Sequence, residues 1–141
     1  MSDKKLNMKD FFTRDRANEG IELPLFAPGS NEKSGHWLRV RGVDSDEFRS
    51  AQVLSHRNLR DAFEDGKVPT EKFHIDQKRL LVSSLVAGWS FDTPFTRENL
   101  IEFLTNAPQI EEAVNQIATR RNLFFKNGST ASTDTPEPSS N

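Results

Sequence analysis

The spacing of apolar residues changes along the chain, and each change marks an element. Ile21 to Phe26 alternates apolar and other residues, the period of a half-exposed strand. Pro24 has no N–H to give to a ladder, which confines this stretch to a sheet edge or an irregular extended segment. From His36 to Val43, Leu38 and Val40 fall on one face while Trp37, Arg39 and Arg41 fall on the other. The turn formers of Pro28–Gly35 lie between the two, so residues 20–43 read as a β-hairpin.

The period then becomes helical. Asp44 stands three residues before Glu47, the spacing of an acidic capping box, and Asp46 adds charge that suits a helix start. Phe48, Ala51, Gln52, Ser55, Leu59, Ala62 and Phe63 recur every three or four residues, and Gly66 suits a C-terminal stop. Pro69–Thr70 turns the chain into a second helix. Its apolar positions, Leu80, Leu81, Val82, Leu85, Val86 and Trp89, cover more than half the circumference. That predicts the central, most buried helix, with Gly88 near its end.

The clearest start signal follows. Thr96 can cap a helix, with Phe95 before it and Leu100 behind it at hydrophobic-staple spacing. Leu100, Ile101 and Leu104 then face inward. Pro108 suits a first helical position, and Ile110, Ala113, Val114, Ile117, Ala118 and Arg121 continue one stripe. Leu123, Phe124 and Phe125 are the last large apolar residues.

The two ends differ from this middle. Residues 1–19 are polar and charged around Phe11–Phe12 and read as a loosely held N-terminal arm. Residues 127–141 contain no aromatic or large aliphatic side chain to offset the entropy of ordering, so they read as a disordered tail. The expected fold class is α+β, mainly α: an N-terminal β-hairpin, then a small bundle of three to four helices, then the tail. One globular domain should span 20–126, with the hairpin at 20–43 and helices over 44–125.

Composition narrows the functional classes. Of 141 residues 34% are hydrophobic and 28% charged, and the formal net charge of −2 gives no global field to attract nucleic acid or an anionic membrane. The absence of cysteine excludes disulfides, thiolate metal sites and cysteine nucleophiles. The N-terminus has no apolar stretch fit for a signal peptide, and the most apolar run, Leu80–Trp89, is far short of the roughly 20 residues that span a bilayer. No membrane partner is expected.

Nor does the sequence show a catalytic constellation. His36, His56 and His74 fall in different elements, and none has a histidine or carboxylate three or four residues on that would complete a metal pair. No GxSxG or P-loop pattern occurs, and no tyrosine. No enzymatic role, metal or cofactor is expected. Trp37, Arg39 and Arg41 on one strand face could stack bases and neutralise phosphates. The neighbouring Glu32, Asp44, Asp46 and Glu47 would oppose a polyanion, and Arg stacked on Trp is the simpler reading. Arg120–Arg121 suits the C-terminal end of a helix dipole. Of eleven phenylalanines, Phe11, Phe12, Phe26, Phe91, Phe95, Phe124 and Phe125 fall near element ends: Phe91 and Phe95 read as staples, whereas Phe124 and Phe125, beside the tail, are candidate partner contacts together with Trp37.

Three motifs in the second half carry a resemblance. They are Gly88–Trp89 closing an apolar stretch, the Pro94–Phe95–Thr96 start with Glu98–Asn99 behind it, and the Arg121…Phe124–Phe125 ending. Over roughly Val82 to Phe125 the chain resembles the tail assembly chaperones of long-tailed bacteriophages. The resemblance implies a protein that binds the tape measure protein, keeps its helical apolar surface soluble and helps tail tube (major tail) protein polymerise around it. It also implies action in the host cytoplasm during infection, absence from the finished virion and possible self-association. Such proteins are often made in two lengths by a ribosomal frameshift, and Leu123–Phe124–Phe125 permits a slippery run of U. The alternatives are a structural or connector protein of the tail and a nucleic-acid-binding regulator using the Trp37–Arg41 strand.

Overall fold

The computed structural model describes residues 5–66 and 68–125. The tail expected over 127–141 lies outside the described residues. The chain runs through a 3-10 turn (Met8–Phe11), α1 (Arg14–Glu19), β1 (Ile21–Phe26), β2 (Lys33–Val40), α2 (Asp46–Glu64), α3 (Glu71–Ser83), β3 (Val86–Trp89), α4 (Arg97–Asn106), α5 (Pro108–Ala118) and a second 3-10 turn (Arg121–Phe124). The α+β, mainly helical class with an N-terminal hairpin is borne out.

The hairpin forms where the alternation predicts it. β1 and β2 pair antiparallel from Ile21 opposite Val40 to Phe26 opposite Lys33, with a register shift after Pro24. β1 is an edge strand, the position in which a proline can be tolerated. Leu38 and Val40 are fully buried, whereas Trp37 and Arg39 on the other face are only half-buried. The core lies between that inner face and the end of α3, α4 and α5. Leu25, Val82, Leu85, Val86, Leu100, Leu104, Val114 and Ala118 complete it.

The predicted helix Leu80–Trp89 is a correction. The helix ends at Ser83, and Val86–Trp89 is a third strand, antiparallel to β2, with Leu38 opposite Trp89 and Val40 opposite Val86. Ala87 has no partner in this register, so the strand carries a bulge. Two causes end the helix. The Ser83 and Ser84 hydroxyls donate back to the carbonyls of Leu80 and Leu81, a local alternative to continuing the ladder. The free edge of β2 also offers backbone partners to a segment whose valine and tryptophan favour strands and whose Gly88 disfavours helix. Leu85 remains as central as expected, but in the turn between α3 and β3.

The start of α2 is also corrected. Ser45, not Asp44, is the cap: it is fully buried and its Oγ accepts the Phe48 N–H at 3.3 Å. Asp44 serves a long-range contact instead. Gly66, just past the end of α2, has φ of 75°, the left-handed conformation that stops a helix. Thr70 and Thr96 cap α3 and α4 by accepting the N–H of Phe73 and Asn99, each at 3.1 Å. Pro108 opens α5 as its spacing predicts. Arg121 leaves the α5 stripe, because the helix stops at Ala118.

The arm expected over 1–19 is ordered in its second half. Residues 14–19 form α1, and Ala17 is buried. Arg14 makes two bonds to the Asp46 carboxylate, at 2.9 and 3.0 Å, and Asn18 Oδ1 accepts the Asp46 N–H at 2.7 Å. The buried Ala17 methyl and a polar cap on α2 hold this segment in place.

Candidate apolar docking surfaces

α2 and α3 form an antiparallel helical hairpin that leans on the core at one end only. Near the core, Ala51 is buried and Phe48 packs on the central cluster. Further out the seam turns polar, with Asn58 Nδ2 donating to Gln77 Oε1 at 3.1 Å. Beyond it, towards the hairpin's tip, large apolar side chains stand in solvent. Phe63 there is 61% exposed and Val68 83% exposed, with Val53, Leu54 and Ile75 also in contact with solvent. Helical periodicity placed Phe63 on a helix. It could not show how much of that ring the other described residues leave in solvent.

A second surface lies on the outer side of β1. A groove of about 650 Å³ runs between that edge strand with its turn and the α4–α5 junction; Leu23, Phe26, Phe103 and Ile110 are among its walls. It continues past His36, Phe91 and Phe103 into a hollow bearing Asp92 and Glu102. An aromatic corner stiffens this end. Phe91, Phe95 and Phe103 all stand edge-on to Trp89, at ring-centroid distances of 5.2–5.8 Å, and Trp89 Nε1 donates to the Thr93 carbonyl at 2.8 Å. The staple reading of Phe91 and Phe95 fits this arrangement.

The residues singled out from sequence do not come together. Phe124 is only 1% exposed, so its reading as an exposed contact is corrected. Its ring lies over Gly42, where an added Cβ would stand 3.2 Å from the ring and 2.9 Å from Ala17 Cβ. Phe125 and Trp37 are half-buried. The Trp37 N–H donates to Ser90 Oγ at 2.8 Å. Arg39 and Arg41 donate to main-chain carbonyls of Glu19, Ser84 and Val86, which leaves fewer of their N–H groups for phosphate and weakens the nucleic-acid reading.

Charge is concentrated at the corner where the ends of the domain meet. Asp44 accepts two bonds from Arg121, at 2.8 and 3.0 Å, and one from Thr13 Oγ1 at 2.7 Å. The Arg121 guanidinium, helped by Thr13 and Arg49, holds the Asp44 carboxyl below the usual carboxylate range. Sequence reasoning gave Asp44 to helix capping, because a partner 77 residues away leaves no local signal. In the interior, Arg79 Nε meets the buried Glu111 at 3.2 Å and ties α3 to α5. Among the described residues no group of three or more His, Asp or Glu is placed to hold a metal ion. No helix there is long and apolar enough to cross a membrane. What the geometry offers is surface for apolar segments.

A family model described as phage tail assembly chaperone matches residues 31–121, more than half of the chain. The chain belongs to this family. No curated protein and no solved structure matches it. The match runs from the hairpin turn through α5 and so contains the helical hairpin and the α4–α5 wall of the groove. The chaperone is thus a bacteriophage protein of tail assembly, whose partners are tail-related proteins.

Proposed function

We propose that this chaperone binds the tape measure protein, keeps its apolar helical surface soluble and promotes assembly of tail tube protein around it. The exposed apolar residues of the α2–α3 hairpin carry the reading. Phe63 and Val68 stand uncovered towards the hairpin's tip, and Val53 and Ile75 are exposed on its two helices, apolar surface on which an amphipathic helix can dock. Charged neighbours such as Arg60, Asp61 and Lys72 keep the free chaperone dispersed. Phe125 and Trp37 retain part of their rings at the surface and are secondary contacts in this proposal. The role is non-enzymatic, exercised in the host cytoplasm and finished before the virion is complete.

Co-expression with the phage's tape measure protein tests the reading. The parent chain should hold that protein in the soluble fraction, and Phe63→Ser combined with Ile75→Ser should lose it while keeping its circular dichroism. Undiminished capture by the double variant would move the site elsewhere. Finding the chain in purified particles would favour a structural tail component instead. A second, longer product requires an unbroken U run at the Leu123–Phe125 codons with an open −1 frame beyond, which the gene sequence decides.

A further inference from the structure

The main chain along the groove beside β1 decides what the groove can accept. Trp37 turns both of its peptide groups toward Ser90: its N–H donates to Ser90 Oγ at 2.8 Å, and its carbonyl accepts the Ser90 N–H at 3.1 Å. Pro24 stands opposite Trp37 in β1. In an antiparallel ladder such a pair exchanges no bonds, so Pro24 turns its main chain outward, to the free edge of the sheet. Glu22, two residues earlier, faces the same way. Proline has no N–H, so the free edge lacks a donor at its middle. The register shift between Pro24 and Phe26 then breaks the line of outward groups. A strand laid along β1 would leave a carbonyl of its own unpaired opposite Pro24. A helix closes its backbone bonds internally and needs only apolar contact from the groove.

The side chains add a charge requirement. The groove lining, which includes Leu23, Phe26, Phe103 and Ile110, holds no aspartate, glutamate, lysine or arginine. Its continuation past Phe91 carries the exposed Asp92 and Glu102. Among the described residues neither carboxylate lies within ion-pair distance of a lysine or arginine. Trp89, Phe91 and Phe103 line the same hollow, mutually edge-on at 5.3–5.8 Å, and aromatic faces attract cations as carboxylates do. We infer that the groove takes an amphipathic helix of a partner protein. Its apolar stripe lies between β1 and the α4–α5 junction, and a lysine or arginine at the end of that stripe meets Asp92 and Glu102. The groove shares no residue with the α2–α3 hairpin, and the inference does not rest on the role proposed for the hairpin.

The test uses the full chain carrying Phe63→Ser and Ile75→Ser, so that the hairpin's exposed residues contribute nothing. The probe is a synthetic helical peptide of about 16 residues, with leucine on one face and lysine beside it. In an isotope-labelled sample, amide shifts should move along Leu23–Phe26 and Ala107–Ala113. Ala113→Arg, on the helix wall, should abolish them; if that variant fails to fold, Gln109→Arg at an exposed position of the same wall replaces it. Exchanging the peptide's lysines for glutamates should weaken binding about tenfold, the scale of two exposed ion pairs. Asp92→Lys with Glu102→Lys should reverse that preference. The same peptide residues reordered to alternate, as in a strand, should not bind. No binding, indifference to the charge exchange, equal binding of the alternating peptide or shifts outside the groove would each overturn the proposal. So would binding that emerges only after Leu6→Ser and Phe11→Ser are added, because the groove would then belong to the chain's own N-terminal arm.

Discussion

The centre of the domain and the free end of its helical hairpin use the same apolar residue types to opposite effect. At the centre, Leu38, Val40, Leu85, Leu104 and Val114 have no solvent contact. At the hairpin's end, Phe63, Val68 and Ile75 keep much of theirs. Burying one such side chain contributes about 1.5–3 kcal/mol, so the central residues hold the fold while the outer ones add little to it. Side chains that do not stabilise the monomer are free to serve a partner. The contrast predicts that stability and capture of a tail protein separate cleanly by region.

The strongest attempt to break that separation is Leu85→Asp. A carboxylate at a fully buried site must be neutralised or expelled at a cost of several kcal/mol, and the domain should unfold. A thermal melt like the parent's would show that the turn between α3 and β3 is not central. Phe124→Ala comes next, with an expected loss of about 3–5 kcal/mol in urea unfolding. A loss below 1 kcal/mol would return Phe124 to the candidate contacts. Acid supplies the third test. Folding lowers the Asp44 pKa, so this carboxylate adds stability above the ordinary range near 3.9 and gives it up as pH falls through its lowered value. Asp44→Asn should flatten the acid limb of the stability profile, and an unchanged limb would mean that the Arg121 contact is not held in solution. The smallest effect on stability belongs to Phe63→Ser, within about 0.5 kcal/mol. A larger drop would show that the hairpin's end is packed after all.

Legibility from sequence followed the range of the cause. Thr96, Pro108 and Gly66 act on backbone within four residues of themselves, and each stands where its spacing predicts. The hairpin alternation is likewise local. Val86–Trp89 is different: a short apolar run fits helix and strand alike, and only the open edge of β2, some 45 residues earlier, decides for strand. The paired serines, Ser83–Ser84, were the available hint that a helix would stop there. Asp44, Phe124 and α1 went astray for the same reason, since their partners are distant along the chain. The surface reading of Phe124 and Phe125 treated both rings alike, yet the 3-10 turn sends the first inward over Gly42. The exposure of Phe63 and Ile75 had no sequence signal, because burial of a helical side chain depends on what arrives to meet it.

Gly42 and Asp44 have a further consequence for geography. Ala17 and Phe124 meet across the glycine, and Thr13 and Arg121 share the carboxylate, so both ends of the folded region leave from one corner. α2 starts at that corner and carries its other end about 28 Å away along 19 residues. An affinity handle, a fluorescent fusion or a longer translation product joined after Phe125 would therefore issue beside the first helix, with the length of α2 between its point of attachment and the hairpin's tip.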